Sequence, residues 1–270
     1  MEMTQFTNLF HSKKVIIGMI HLPALPGTFA GKGAKYADLV KFALHELDSL
    51  QKGGVDGVIV ENFWDLPYCS GEVAPITIAS MAAVAGAVVS KASVPVGINI
   101  LYNSYHAEIS VARAVGASFL REEVFVDPAI SETGLIPASS ADLIRERTAL
   151  YAEDVAILAD VQGKNTTPMW NRPITESAVD AEKRGLADAV VITGMGTGKP
   201  ASIDDLQQVR EVIGIPLLAG SGVNPRSLAS ILSVCDGAIV GSYFKQGGNI
   251  QAPTDPDRVA ELMSVARKAA

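Results

Sequence analysis

Short runs of β-branched and other apolar residues recur along the chain, at 15–22, 57–62, 95–101, 119–125, 156–162, 189–194, 216–223 and 237–244. Each run is continuously apolar rather than alternating, the pattern of parallel strands covered on both faces. Amphipathic stretches that suit helices fill the gaps, at 37–52, 75–91, 105–115, 139–153, 175–184, 203–212, 225–233 and 255–268. Asp204 and Asp205 suit the start of the sixth helix and Pro225 the first turn of the seventh. Eight strands, each followed by a helix, predict an α/β fold, a single (β/α)8 TIM barrel. An open doubly wound sheet is the rival, and the even count with a final helix favours closure. No linker or composition shift divides the chain, so residues 1–270 read as one domain with a short extension at 1–14.

The connections are lopsided. Helix-to-strand joints are short, at 53–56, 116–118 and 185–188, whereas strand-to-helix joints are longer, at 23–36, 63–74, 126–138, 163–174 and 195–202. The long joints share one face, where barrel enzymes build their sites.

Polar side chains stand where the strands should end: His21, Glu61 and Asn62, Asn99 and Asn103, Arg121 and Glu123, Asp160 and Gln162 with Lys164 beyond, and Thr193. Arg121 and Glu123 share parity on a strand, as do Asp160, Gln162 and Lys164 if that strand stays regular. Buried charges need partners, so Arg121, Glu123, Asp160 and Lys164 suit one ionic network. Glu122 has the opposite parity and is expected to face a helix or solvent. As catalytic groups, Glu61, Asp160, Lys164 and Arg121 would move protons beside a carbonyl and stabilise an oxyanion. A desolvated Lys164 would alternatively form a Schiff base. His21, Asn62, Asn99, Asn103, Glu123, Gln162 and Thr193 would orient substrate. The structural alternative is a salt-bridge network that closes the barrel mouth. Trp64 and Trp170 lie in strand-to-helix loops, as pocket walls or as ordinary loop packing.

Gly220-Ser221-Gly222 follows the seventh strand and Gly241-Ser242 ends the eighth. Bare backbone lets amides approach a ligand, and in barrels these two loops often form a phosphate site. Asn224 and Pro225 then open a helix whose N-terminal N–H groups carry partial positive charge. Tight strand ends without a ligand are the alternative. Gly194, Thr197 and Gly198 belong to a glycine-rich loop after strand six. It is not a nucleotide P-loop, because Thr193 stands where the first glycine is required and Pro200 where Ser or Thr is required. A loop that reaches the phosphate or closes over substrate fits better.

Composition narrows the classes. A net charge of -7 without a Lys/Arg cluster argues against nucleic acid. The two cysteines, Cys69 and Cys235, are far apart, so neither a disulfide framework nor a zinc site is expected. No His/Asp cluster indicates a metal, and no cofactor is expected. The start carries no apolar signal core, and the most continuous apolar stretch, 78–89, is too short to span a bilayer. The expectation is a cytoplasmic protein with a phosphorylated small-molecule ligand and no membrane insertion. Self-association into a homo-oligomer is compatible with a barrel.

The ordered series GMIHLPALPG (18–27), VENFWDLPY (60–68), GINILYN (97–103), ADVQGK (159–164), ITGMGTGKP (192–200), LAGSGVNP (218–225) and DGAIVGSYFKQGG (236–248) resembles the BtpA/SgcQ family over most of the chain. The resemblance implies a phosphate-binding TIM barrel. It also links the chain to proteins of sugar-phosphate operons and, through the family's namesake, to photosystem I biogenesis or stability; the expected roles are thus an enzyme of aldolase, isomerase or epimerase-type carbonyl chemistry on a sugar phosphate, or a non-enzymatic photosystem I factor. A ligand sensor without turnover is a third. Where the family usually carries Arg-Val-Asn in strand four, this chain has Arg121-Glu122-Glu123. Where it often carries His-Ala after the strand-five lysine, this chain has Asn165-Thr166, which implies a subfamily with its own specificity.

Overall fold

The computed structural model describes residues 4–10, 12, 14–194 and 196–269, so Met195 of the strand-six loop and part of the N-terminal extension lie outside it. Eight parallel strands close into a barrel. They are β1 (Val15–His21), β2 (Gly57–Glu61), β3 (Val96–Asn99), β4 (Phe119–Glu122), β5 (Ala156–Val161), β6 (Ala189–Ile192), β7 (Leu217–Ala219) and β8 (Gly237–Val240). Each pairs with its sequence neighbours, and β1 pairs with β8 through Val15↔Gly237 to seal the ring. The outer helices are α1 (Tyr36–Gly53), α2 (Pro75–Val89), α3 (Tyr105–Val115), α4 (Ser140–Ala149), α5 (Ile174–Lys183), α6 (Ile203–Val212), α7 (Pro225–Leu232) and α8 (Pro256–Ala269). The closed barrel is the expected one, and the open sheet is excluded.

Strand parity sorts the core into two layers. Ile17, Met19, Ile59, Phe119, Leu158, Val191, Leu218 and Ile239 fill the barrel interior, and residues of the opposite parity, such as Ile16, Val58 and Ile98, pack beneath the helices. A short helix, Gln5–Leu9, and the chain after it close the floor: the Phe6 and Phe10 rings lie 4.7 Å apart, and Phe10 meets Phe119 edge-on at 5.9 Å. The floor of the barrel interior is therefore apolar, and the polar strand ends that face inward lie at the other end.

Several strands end earlier than their apolar runs predict. The eighth run turns after Val240 into a 3-10 helix, Ser242–Phe244, and the fifth stops at Val161 because Gln162 takes a left-handed backbone, φ 49°. The β4–α4 loop also folds an antiparallel hairpin, Ala129–Ser131 with Gly134–Ile136, which Thr167–Pro168 joins as a third strand. Among the described residues, no helix is long and apolar enough to cross a membrane.

Candidate functional site

At the C-terminal mouth of the barrel the interior-facing strand ends switch from apolar to polar. Arg121 of β4 and Asp160 of β5 form a bidentate ion pair, Nε to Oδ1 at 3.0 Å and Nη2 to Oδ2 at 2.9 Å, with both side chains almost fully enclosed. Burial works against the Arg121 charge, but Asp160 more than offsets it and holds the guanidinium protonated. Glu61 and Glu123 face the same pair. Burial raises the Glu61 carboxyl, with Lys164 and Arg121 pulling the other way, and burial followed by the Glu61 charge pushes Glu123 up to about 8. Lys164, half-buried, is depressed by desolvation and by Arg121, although Glu61, Asp160 and Glu123 oppose the shift. It makes no ion pair among the described residues.

His21 completes this group. Its ring lies against Phe63, centroids 4.4 Å apart, and burial, then the Lys245, Lys164 and Arg121 charges, drive its pKa well below the ordinary value. The imidazole is therefore neutral at pH 7. His21 Nδ1, Glu61 Oε2, Asn99 Oδ1, Glu123 Oε2 and Thr193 Oγ1 are all buried with no hydrogen-bond partner among the described residues. Buried polar atoms are normally paired, and unpaired ones are costly. Five of them at strand ends around one mouth are what a polar ligand, or water holding its place, would satisfy.

Other expected substrate contacts are used by the protein itself. The Asn62 amide donates to Asp65 and its Oδ1 accepts from Leu101 N–H. Asn103 binds the Val124 backbone on both sides and also the Pro137 carbonyl. Gln162, swung out by its left-handed backbone, donates to the Arg172 carbonyl and to Ser177 Oγ, so its parity with Asp160 is lost. These three tie loops to the barrel. Asn99 does so with its amide nitrogen, which donates to Glu108 Oε1 at 3.2 Å and to the Arg121 carbonyl at 2.9 Å. Glu122 faces a helix, as one of its two expected positions, and its carboxyl is buried near that of Glu108 of α3, which raises the Glu108 pKa.

The glycines of β7 and β8 make room for this machinery. A Cβ at Gly220 would lie 3.2 Å from Arg121 Nη2, and one at Gly241 only 2.8 Å from His21 Cε1. The loop after β6 lies over the end of β7: Ser221 Oγ accepts from Gly194 N–H and donates to the Lys199 carbonyl, both at 2.7 Å. Its tip brings Gly198 beside Ser242, and Asn165 Nδ2 donates to Thr197 Oγ1 at 3.5 Å. The N terminus of α7 is already occupied, because Asn224 Oδ1 accepts from the Arg226 and Ser227 N–H groups. Among the described residues, the Gly222, Ser242 and Tyr243 N–H groups have no acceptor, so the open donors sit at the two strand ends and not at the helix. Beside them a cleft of about 680 Å³ runs between Phe63 and Trp64 on one side and Thr197, Gly198 and Ser242 on the other. Trp64 thus lines this cleft; Phe63 and Tyr68, also lining it, carry no periodic signal in the sequence. No group of three or more His, Cys, Asp or Glu among the described residues is arranged to hold a metal ion.

Comparison with known proteins adds the following. Residues 12–268 match the model of the BtpA family. The chain is 36% identical over 255 residues to the photosystem I biogenesis protein BtpA of Synechocystis, covering 94% of this chain and 88% of that one. It is equally 36% identical to an uncharacterized protein of Methanocaldococcus jannaschii, over 95% of this chain and 96% of the other. Among solved structures, (S)-3-O-geranylgeranylglyceryl phosphate synthase from Thermoplasma acidophilum, in complex with sn-glycerol-1-phosphate, superposes with a TM-score of 0.61 at 12% identity, covering 99% and 100% of the two chains. Thiamine phosphate pyrophosphorylase from Pyrococcus furiosus gives 0.60 at 15% identity, covering 95% and 96%. At these identities the likeness establishes the TIM-barrel fold.

Proposed function

The chain belongs to the BtpA family, and on that premise we propose that it is an enzyme that binds a phosphorylated small molecule and performs carbonyl chemistry on it. The observation that carries this reading is the set of buried, partnerless polar atoms around Lys164. A structural salt-bridge network would satisfy its members; this one satisfies only Arg121 and Asp160.

The roles follow from the protonation states. Lys164, depressed by its surroundings, supplies a free amine more readily than a surface lysine and attacks a substrate carbonyl. Glu123, pushed up to about 8, is protonated at neutral pH and gives its proton to the departing hydroxyl as the C=N bond forms and water leaves. Glu61 takes a proton from the carbon next to the iminium, whose positive charge accepts the electron pair. Arg121, locked by Asp160, and neutral His21 orient the substrate oxygens. The open N–H groups of Gly222, Ser242 and Tyr243 take the phosphate, and the loop at 196–202 covers it. A sugar phosphate matches this set in size and charge.

The name of the Synechocystis relative favours a second reading, a partner-binding role, for which the exposed Ile130, Leu135, Met169 and Trp170 would be the contact surface. Thermal unfolding separates the two. Ribose 5-phosphate at about 100 times its Kd should stabilise the chain by about 2.7 kcal/mol, raising the midpoint by about 5–10 °C. Ser242→Asp should abolish the shift. Lys164→Ala should keep it and lose covalent trapping of the sugar by borohydride. The absence of any shift in the unsubstituted protein refutes the proposal.

A further inference from the structure

The cleft beside the open N–H groups has two unlike walls. One is apolar and aromatic: Phe63, Trp64, Leu66 and Tyr68 from the β2–α2 loop, with Ile250 from the chain after β8. The other is polar, and Lys199 is the one charged residue in the lining. The aromatic wall is built rather than incidental. Phe63 stacks on His21 at the strand end, Trp64 meets Phe63 edge-on at 5.0 Å and 87°, and the Tyr68 hydroxyl donates to the Phe63 carbonyl at 2.6 Å. A line of rings thus runs from the floor of the mouth to its rim. Phe63, Trp64 and Tyr68 remain half-buried and Leu66 is exposed, so apolar surface is left open inside a cleft that otherwise suits an anion.

A bare sugar phosphate gives this wall nothing to cover. At about 680 Å³ the cleft also falls within the roughly 300–1,000 Å³ range of sites that enclose drug-sized molecules. We propose that the substrate is a phosphate ester carrying a planar aromatic ring, with the phosphate on the Ser242 and Lys199 side and the ring stacked on Trp64, edge-on to Phe63. This rests on the phosphate-site reading above and names the class of molecule that the site takes. Ring stacking on an exposed aromatic face is favourable for any flat heterocycle, because every such ring presents a π-face.

Calorimetric titration with inorganic phosphate, ribose 5-phosphate, adenosine 5′-monophosphate and uridine 5′-monophosphate tests it, since the two nucleotides are ribose phosphates with a ring attached. Both nucleotides should bind at least about tenfold tighter than ribose 5-phosphate, about 1.4 kcal/mol, the scale of one stacked ring. Trp64→Ala should erase that preference and leave ribose 5-phosphate binding unchanged, whereas Trp64→Phe should keep most of it. Lys199→Ala should weaken all four ligands together. Nucleotides that bind no tighter than ribose 5-phosphate, or a preference that survives Trp64→Ala, overturn the aromatic substrate class and leave the phosphate site standing. Failure of all four ligands to bind removes both.

Discussion

Glu108 and Glu122 are two carboxyls buried together between α3 and β4, directly behind the strand end that carries Arg121. Glu108 Oε1 accepts from Asn99 and from the Ile100 N–H, while its other oxygen and both oxygens of Glu122 are buried without a hydrogen-bond partner among the described residues. Burial, then the Glu122 charge, raises the Glu108 pKa well above its ordinary 4.5, and burial pushes Glu122 up to about 7. The folded chain therefore keeps a proton at Glu108 that the unfolded chain releases. A raised native pKa gives a contribution that is complete below the unfolded value of 4.5 and is lost as pH rises towards the native value. The loss can reach at most about 1.36 kcal/mol for each pH unit over which only the folded chain holds this proton. Glu108→Gln keeps the carbonyl that accepts from Asn99 and Ile100, and its amide can donate to Glu122. The variant should be close to the unsubstituted protein in stability at pH 5 and gain on it as pH rises to 7, by up to about 1.36 kcal/mol per pH unit. Urea unfolding of both proteins at the two pH values measures the difference and cancels the carboxyls common to both. An unchanged gap between pH 5 and pH 7 would refute the proton held at Glu108.

Asp160→Asn leaves Arg121 charged and enclosed without its counter-ion, and should cost about 3–5 kcal/mol in urea unfolding; a loss below 1 kcal/mol would contradict the fully buried pair. Gly241→Ala sets a Cβ 2.8 Å from His21 Cε1 and should destabilise by about 1–3 kcal/mol while displacing the ring, seen as a shift of its imidazole resonances. An unmoved ring would contradict the tight approach. Lys164, with its depressed pKa, should react with an amine-selective reagent at pH 8 faster than the exposed lysines, as read by peptide mass mapping. Equal labelling would show an ordinary lysine.

Continuous apolar runs on a short repeat made the barrel legible from the sequence, because a parallel strand covered on both faces needs every residue apolar except at its open end. For the same reason the exceptions stood out: Arg121 and Asp160 interrupt apolar strands, and they pair. Parity failed where the backbone left the strand, as at Gln162, whose positive φ turned its side chain towards α5. Asn62 and Asn103 tie loops to the barrel, a use that the sequence does not separate from holding a ligand, because the same amide serves both. The aromatic wall and the Glu108–Glu122 pair were hidden for a different reason. Loops carry no periodicity, and the two buried carboxyls come from different elements, so only the folded chain brings them together.

A crystal structure of the protein soaked with ribose 5-phosphate tests the central claim most directly. The phosphate should lie within hydrogen-bond distance of the Gly222, Ser242 and Tyr243 N–H groups, with the carbonyl end turned towards Lys164 and Glu61. A sugar phosphate bound away from the ends of β7 and β8, or a mouth that holds only water at saturating ligand, would contradict it.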